Sequence, residues 1–285
     1  MLDQIKFFKK NGYLLVKDLF TEEEAESFRQ GCRLNKVGDS LCRGEFNDVM
    51  LSPKVVDIVK ALIGDDLCYP GISETWTRGG SQLYVPRGFH TDVIGDDGNF
   101  AVEYPIVNVA LYLQDHTNWS NGLKVSPGSH MWPCIKTLTI TEAFKKIVQA
   151  AIRGNFADIL TILNLHRSVN IQSTGRDLVI WYMRTHHSGR FLRLKWFPDF
   201  SLPPVIENLL PAFLCLPDNP QRDVLITKFG RAGSYFDTYV AKQIVKDRRR
   251  THYQNNGCLD SADKIALAAR VGVTLRNDGY HATLK

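Results

Sequence analysis

The feature that most limits how this chain can fold is a change of pattern after Asp66. Before that residue, apolar side chains recur at helical spacing, as in residues 2–10 and 52–63. A short strand is predicted at Tyr13–Val16, and a capping box at Thr21 opens the next helix. After Asp66, short runs rich in Val, Ile, Tyr and Leu alternate with turn clusters. The strands predicted there are Ser81–Val85, Ile106–Leu113, Gly122–Ser126, Leu178–Met183, Arg193–Phe197 and Val224–Phe229. Helices followed by many short strands predict a mainly β fold with flanking helices, built as a sandwich or barrel.

No linker or internal repeat divides the sequence, so we expect residues 1–285 to form a single domain. Residues 1–65 are expected to form N-terminal helices and one strand. Residues 66–230 predict the β core, interrupted by a helical insert at 133–170, and residues 231–285 predict C-terminal helices.

Composition and charge exclude several classes of function. The formal net charge of +5 is small, and part of the excess lies in the run 246–250, which is typical of a solvated helix face. The sequence has no nucleic-acid-binding motif, no apolar stretch near the roughly 18 residues that span a membrane, and no signal-peptide run. Its six cysteines form no CxxC pair. We therefore expect a cytoplasmic protein with reduced thiols that acts on a small-molecule substrate and binds neither nucleic acid nor membrane. The oligomeric state stays open.

The first chemical signal is the segment Gly88–Asp92 (GFHTD). Because side chains alternate along a strand, the imidazole of His90 and the carboxylate of Asp92 can lie on the same side and chelate one cation. An isolated His-x-Asp pair is a weak signal, since most such pairs lie on protein surfaces. It gains meaning only from a third ligand elsewhere in the chain.

The segment Asp177–Gly189 (DLVIWYMRTHHSG) offers that third ligand. A predicted buried strand there ends in His186 and His187, which a Ser-Gly turn follows. A metal site assembled from such distant strands needs a sheet that returns to the same end, as a jelly roll does. Two histidines and one carboxylate on one face of an octahedral metal leave the other positions open, which is the arrangement of non-haem iron(II) oxygenases.

A third motif, Asn121–His130 (NGLKVSPGSH), lies between these two segments. The order HTD, LYLQDHT, NGLKVSPGSH, GRDLVIWYMRTHHSG and RLKWF resembles the phytanoyl-CoA dioxygenase (PhyH-like) family of iron(II)- and 2-oxoglutarate-dependent oxygenases. The opening QIKFFKKNGYLLVKDLFTEEEA is similar to the family's N-terminal helix and strand. The resemblance covers residues 4–200 and is less clear in the C-terminal third. It implies a double-stranded β-helix (jelly-roll, cupin-like) core and a reaction that uses Fe(2+), 2-oxoglutarate and O2.

Carried onto this sequence, the resemblance implies that His90 and Asp92 are metal ligands and that the distal ligand is His186 or His187. The family's R-x-x-H-S-G pattern, matched by residues 184–189, favours His187. Related halogenases have a small residue at the position of Asp92. The aspartate here therefore implies an oxygenase outcome such as hydroxylation, with release of succinate and CO2.

The resemblance also implies an arginine on the strand after the distal histidine, which holds the distal carboxylate of 2-oxoglutarate. A planar guanidinium suits this role because it binds a carboxylate through two hydrogen bonds. Arg193, which opens the predicted strand RLKWF, is the first candidate and Arg190 is the second. Further candidate contacts are Ser188, Tyr112 and Thr91.

Two other functions fit part of this pattern. One is a cupin-like metal enzyme that does not use 2-oxoglutarate, and the other is a non-catalytic jelly-roll binding module. A carboxylate-binding arginine after His187 favours the oxygenase over the first. The presence of all three ligand side chains counts against the second.

Overall fold

The structure is a computed structural model that describes residues 1–34, 46, 49–69, 73–78, 90–92, 105–120, 122–131, 140–163, 165–189, 192–207, 209–219, 222–246 and 262–275. The helices within these ranges are α1 (Leu2–Asn11), α2 (Glu22–Leu34), α3 (Pro53–Ile63), α4 (Ile140–Ile152), α5 (Phe156–Ile162), α6 (Pro204–Glu207), α7 (Ser234–Lys246) and α8 (Ala262–Arg270). None of these described helices combines the length and the apolar character needed to cross a lipid bilayer.

Local signals in the sequence set the ends of the first helices. Helix α1 ends at Gly12, whose φ of 79° is in the left-handed region that glycine adopts without strain. Helix α2 opens with the expected capping box. The amide of Thr21 donates to Glu24 Oε2 at 2.8 Å, and the amide of Glu24 donates to Thr21 Oγ1 at 3.2 Å. These caps fix where the N-terminal helices meet the sheet.

The strands form two sheets. They are β1 (Tyr13–Val16), β2 (Leu67–Tyr69), β3 (Ser73–Arg78), β4 (Ile106–Tyr112), β5 (Leu123–Val125), β6 (Val169–Ile171), β7 (Leu178–Tyr182), β8 (His187–Ser188), β9 (Arg222–Arg231) and β10 (Val273–Leu275). The larger sheet has the order β1-β7-β4-β9-β2-β10, with β3 also paired to β9, and the smaller sheet has the order β6-β5-β8. Strands β10 and β2 pair in parallel, and the other named pairs are antiparallel.

The alternation of side chains along β4 separates two apolar cores. Val107, Val109 and Leu111 face the core that the large sheet shares with α1, α2 and α3. Ala110 and Tyr112 face the opposite way, into the core between the two sheets. That inner core also contains Leu123, Val125, Ile171, Val179, Trp181 and Val224. The candidate site lies at one end of this inner layer.

One predicted strand is wrong and another lies outside the described residues. Residues 193–197 form no strand, and only Leu194 makes an isolated bridge, to Cys215. The reason is that the buried guanidinium of Arg193 binds backbone carbonyls and holds the chain in a loop. The predicted strand Ser81–Val85 lies outside the described ranges. Helices α4 and α5 occupy the expected insert, and the division into one domain stays a prediction.

Candidate metal centre

The structure brings together three of the residues singled out in the sequence. His90, Asp92 and His187 each offer one ligand atom, and these atoms lie within 4.8 Å of one another. The Nε2 atoms of His90 and His187 each lie 3.6 Å from a carboxylate oxygen of Asp92. Two imidazole nitrogens and one carboxylate oxygen form a donor set that suits a divalent transition metal.

The backbone holds His187 in position for such a role. His187 is the first residue of β8 and pairs with Val125 of β5 in the small sheet. The Nδ1 atom of its imidazole lies 2.9 Å from the carbonyl oxygen of Thr185. Donation from Nδ1 fixes the tautomer that leaves Nε2 available as a ligand. Burial lowers the pKa of His187, although the nearby carboxylate of Asp92 opposes this shift, so the imidazole is neutral at pH 7.

Asp92 is held by one backbone and one side-chain hydrogen bond. Its amide donates to the carbonyl of Met183 at 2.9 Å, and its Oδ2 accepts from Asn108 Nδ2 at 2.8 Å. Burial by itself raises the pKa of Asp92, but the charges of His187, Lys228 and His90 together with the amide of Asn108 hold it below its ordinary value. The carboxylate is therefore ionised and oriented at neutral pH.

The cluster has one closed flank and one open flank. The side chain of His187 is only 6% exposed and its ring centroid lies 5.4 Å from that of Trp181 in the inner core. The side chain of His90 is 50% exposed and that of Asp92 27%. An ion held by these three groups would be reached by small molecules from the side of His90.

Among the residues expected to contact 2-oxoglutarate, Tyr112 lies on the inner face of the large sheet, in the core between the two sheets. It is buried on the inner face of β4, and its phenol is within electrostatic range of Asp92. Burial raises the pKa of Tyr112, while the charge and hydrogen bond of Arg222 oppose that rise. Thr91 lies between two cluster residues, Arg190 lies outside the described ranges, and Ser188 lies beside Lys124 in the small sheet.

The structure does not bring Arg193 to the cluster. It is buried, with 1% of its surface exposed, and its guanidinium donates to the carbonyl oxygens of His116 and Pro198, both at 2.9 Å. A third contact, at 3.4 Å, joins it to the carboxylate of Asp199. These contacts occupy the fork that a second carboxylate would need.

Sequence reasoning missed Arg222, which begins β9 on the inner face of the large sheet. Its guanidinium carbon lies 5.6 Å from the centroid of the Tyr112 ring, and only 9% of the residue is exposed. Gly189 passes so close that a Cβ there would lie 3.1 Å from Arg222 Nη2. A signal was present, because Arg222 lies two residues before the predicted strand Val224–Phe229, which corresponds to β9, the next strand after β8.

A second cation on β9 was also missed. Lys228 pairs with Asn108 across β4 and β9. Its charge contributes to the lowered pKa values of both Asp92 and His187. Positive charge therefore borders the cluster from the large sheet.

His186, the alternative distal ligand, is not in the cluster. His186 directly precedes β8, and its contacts lie outside the cluster. Its ring centroid lies 6.0 Å from that of His166, and its amide donates to Ser129 Oγ at 2.9 Å. Burial and the charges of the surrounding histidines lower the pKa of His186 to about 4.

The fold is similar to that of several solved enzyme structures. The non-haem alpha ketoglutarate dependent carbocyclase SnoK from nogalamycin biosynthesis has 14% identity and a TM-score of 0.53, over 81% of this chain and 84% of that one. The epimerase SnoN, solved with Fe3+, alpha ketoglutarate and nogalamycin RO, has 15% identity and a TM-score of 0.54, over 81% and 83%. EctD from S. alaskensis, solved with 2-oxoglutarate and 5-hydroxyectoine, has 13% identity and a TM-score of 0.50, over 81% and 76%.

No family model matches this chain, and no curated protein matches it. The resemblance to the phytanoyl-CoA dioxygenase family therefore stays a prediction from sequence motifs. At identities of this size the solved structures establish the fold alone. They confirm the predicted mainly β jelly-roll core with flanking helices.

Proposed function

We propose that this chain is an iron(II)- and 2-oxoglutarate-dependent dioxygenase that hydroxylates a small organic metabolite. The observation that carries the proposal is the convergence of His90, Asp92 and His187 at the end of a jelly roll, with the flank of His90 open. The similar solved structures include proteins described as alpha ketoglutarate dependent or solved with 2-oxoglutarate, which supports the same class.

The three side chains fit an iron(II) ion. His187 presents Nε2 because Nδ1 is engaged by Thr185, and Asp92 is ionised and held by Asn108. Iron(II) favours two histidines and one carboxylate with open positions opposite them. When bound, iron(II) and 2-oxoglutarate supply the oxidising chemistry, in which O2 gives one oxygen atom to the substrate and 2-oxoglutarate becomes succinate and CO2.

Arg222 and Tyr112 are suited to the distal carboxylate of 2-oxoglutarate. Arg222 is a buried cation on the inner face, and its guanidinium carbon lies 5.6 Å from the centroid of the Tyr112 ring. Tyr112 shares the inner face of β4 with Asn108, which binds Asp92, so this pair lies on the face of the large sheet that carries the metal cluster. A bidentate guanidinium and a phenol donor together bind a carboxylate strongly. We assign the anchoring role to Arg222 in place of Arg193.

Two unsatisfied polar atoms point to the side on which a substrate binds. Asn108 Oδ1 and Trp181 Nε1 are buried and have no hydrogen-bond partner within the described part of the chain. Asn108 and Trp181 are paired across β4 and β7, and both adjoin the cluster, through Asp92 and His187. One acceptor and one donor side by side suit a substrate hydroxyl or amide group.

The cytoplasmic location stays a prediction from the sequence.

Titration with metal and co-substrate tests this function against its two alternatives. Isothermal titration with Mn(II), followed by 2-oxoglutarate under anaerobic conditions, should show one metal per chain and metal-dependent binding of 2-oxoglutarate. A cupin-like enzyme of another kind would bind the metal only. A non-catalytic module would bind neither, and either result would overturn the proposal.

Turnover tests the reaction type before any substrate is known. Under air, with iron(II) and 2-oxoglutarate, slow release of succinate should occur and should increase with the right member of a metabolite panel. Asp92→Ala should abolish it because the carboxylate ligand is lost. Asp158→Asn, an exposed change on α5, is the matched control and should retain it. Succinate release that survives Asp92→Ala would contradict the assignment.

A further inference from the structure

A cavity of about 460 Å³ lies on the other side of the large sheet from the metal cluster. It is bordered by α1, α3 and the ends of β7 and β9, and none of the three cluster residues lines it. The alternation along β7 explains the separation. Trp181 faces the inner core beside His187, whereas the next residue, Tyr182, faces this cavity.

The lining of this cavity is strongly cationic. Lys9, Lys60, Arg184 and Arg231 all border it, and none of the described lining residues is acidic. Arg184 is the most enclosed of the four, with 8% of its surface exposed. Lys60 is oriented by donation from Nζ to the carbonyl of Val271 at 2.9 Å, which leaves further ammonium protons for a ligand. Four like charges around one cavity attract an anion of more than one charge.

The remainder of the lining is apolar or aromatic. Leu62, Ile63, Met131 and Tyr182 contribute to it, and the Tyr182 ring is stacked on His130 at a centroid distance of 5.1 Å. Cavities of a few hundred cubic ångströms, largely apolar with a few polar groups, are typical of small-molecule sites. The volume of this one exceeds the need of a single inorganic ion.

We propose that this cavity is a second ligand site, separate from the metal centre, for a small organic anion that carries at least two negative charges on an apolar body. The cations bind the charged group, and the wall of Leu62, Met131 and Tyr182 packs against the body. A phosphate monoester on an aromatic ring has this combination. The proposal does not depend on the function of the metal centre.

Phenyl phosphate, inorganic phosphate and phenol form a set of probes that separates the two contributions. Isothermal titration in a low-salt buffer should give tighter binding for phenyl phosphate than for inorganic phosphate, and no binding for phenol. Added NaCl should weaken the binding of phenyl phosphate, because exposed charges are screened. The same titration is repeated with the Asp92→Ala variant, which lacks a metal ligand. That variant should bind phenyl phosphate with the same affinity as the parent chain. Loss of binding in that variant, or equal affinity for phenol, would overturn the proposal.

Charge-neutral variants locate the site. Arg231→Gln and Lys9→Gln change residues that are exposed, and each should weaken phenyl phosphate binding about tenfold, as loss of one hydrogen-bonded charge costs roughly 1.5 kcal/mol. Arg184→Gln should have a larger effect if the variant folds, and the two exposed variants decide the question if it does not. Lys146→Gln, an exposed change on α4, is the control and should bind like the parent chain. Equal binding in all variants, or an equal loss in Lys146→Gln, would show that this cavity is not the site.

Discussion

The amide of His90 donates to the carbonyl of His187 at 3.0 Å, and the amide of His187 donates to the carbonyl of His90 at 2.9 Å. Two residues that exchange both hydrogen bonds form an antiparallel bridge, so the segment of His90 and β8 are fixed to each other by the main chain. The two imidazole centroids lie 4.5 Å apart as a result. Main-chain pairing therefore sets the spacing of the two histidines. It does not set the orientation of the third ligand, the carboxylate of Asp92.

Asn108 orients the carboxylate of Asp92, so Asn108→Ala should weaken metal binding. The substitution removes the amide that donates to Asp92 Oδ2 and frees the carboxylate to rotate. Loss of a group that orients a metal ligand typically costs about 10- to 100-fold in metal affinity.

Titration of Mn(II) into the Asn108→Ala variant measures this change in affinity. Asn170→Ala, a buried asparagine in β6, is the matched control and should leave the affinity unchanged. Similar affinities in both variants would remove Asn108 from the site.

Arg222→Gln and Arg193→Gln should have opposite phenotypes. Removing Arg222 should weaken 2-oxoglutarate binding by about 30-fold or more, since truncating one partner of a buried charged pair costs roughly 2 kcal/mol or more. Removing Arg193 should lower the free energy of unfolding, because its contacts with the carbonyls of His116 and Pro198 are structural. Titration of 2-oxoglutarate into the Mn(II)-loaded variants, with urea unfolding beside it, separates the two effects. The reverse pattern would restore Arg193 as the anchor.

The comparison of these two arginines shows what the sequence could predict. The strands at 106–112, 178–182 and 222–231 follow buried apolar runs, and such runs are legible without a structure. The His-x-Asp pair and the later histidine were likewise visible as motifs. The local pattern did not predict that the run after His187 would form a loop, because that outcome depends in part on the contact of the Arg193 side chain with the carbonyl of His116, which is distant in the sequence.

Asn108, Trp181 and the cationic cavity could not be predicted for the same reason. Asn108 lies in the apolar run IVNVALY, where its place beside Asp92 depends on the register between distant segments. The cavity is lined by cations from α1, α3, the turn after β7 and the end of β9, which are adjacent only after folding. Periodicity fixes which face a side chain takes, whereas its neighbours on that face are set by the packing of the whole chain.

Glu207→Ala should destabilise the fold strongly. Glu207 in α6 binds the buried ammonium of Lys124 at 2.8 Å and also accepts from the amide of Leu192. Removing one partner of a buried ion pair costs about 3–5 kcal/mol because the other charge is left without compensation. The double change Lys124→Met and Glu207→Leu should recover most of the loss in urea unfolding experiments.

The control for this pair is the exposed contact between Lys54 and Glu24, at 3.2 Å. Lys54→Ala should lower the free energy of unfolding by less than about 1 kcal/mol, since exposed ion pairs contribute little. If Glu207→Ala lowers the free energy of unfolding by no more than Lys54→Ala does, the buried pair does not hold the segment 192–207 against the small sheet.

His166 should make the fold less stable as the pH falls from about 6.5 to about 4. Burial, with the charge of Lys124, lowers the pKa of His166 to about 4. The folded chain therefore binds this proton more weakly than the unfolded chain, and the stabilisation present above pH 6.5 is lost as the pH falls through that range. The shift corresponds to about 3 kcal/mol. His166→Gln should flatten the pH dependence of the free energy of unfolding, measured in urea at pH 8, 6 and 5. Parallel curves for the variant and the parent chain would contradict this.

Trp181→Phe should impair substrate recognition while metal and 2-oxoglutarate binding persist. The phenyl ring keeps most of the packing against His187 in the inner core, but the variant lacks the Nε1 donor, which has no protein partner among the described residues. Loss of one hydrogen bond to a substrate should raise KM by about fivefold, from roughly 1 kcal/mol of binding free energy. The measurement is succinate release against the concentration of whichever metabolite stimulates turnover. Trp196→Phe, at a position that is 68% exposed, is the control and should leave KM unchanged. An unaltered KM in Trp181→Phe, or a loss of Mn(II) binding, would mean that Trp181 serves the core and not the substrate.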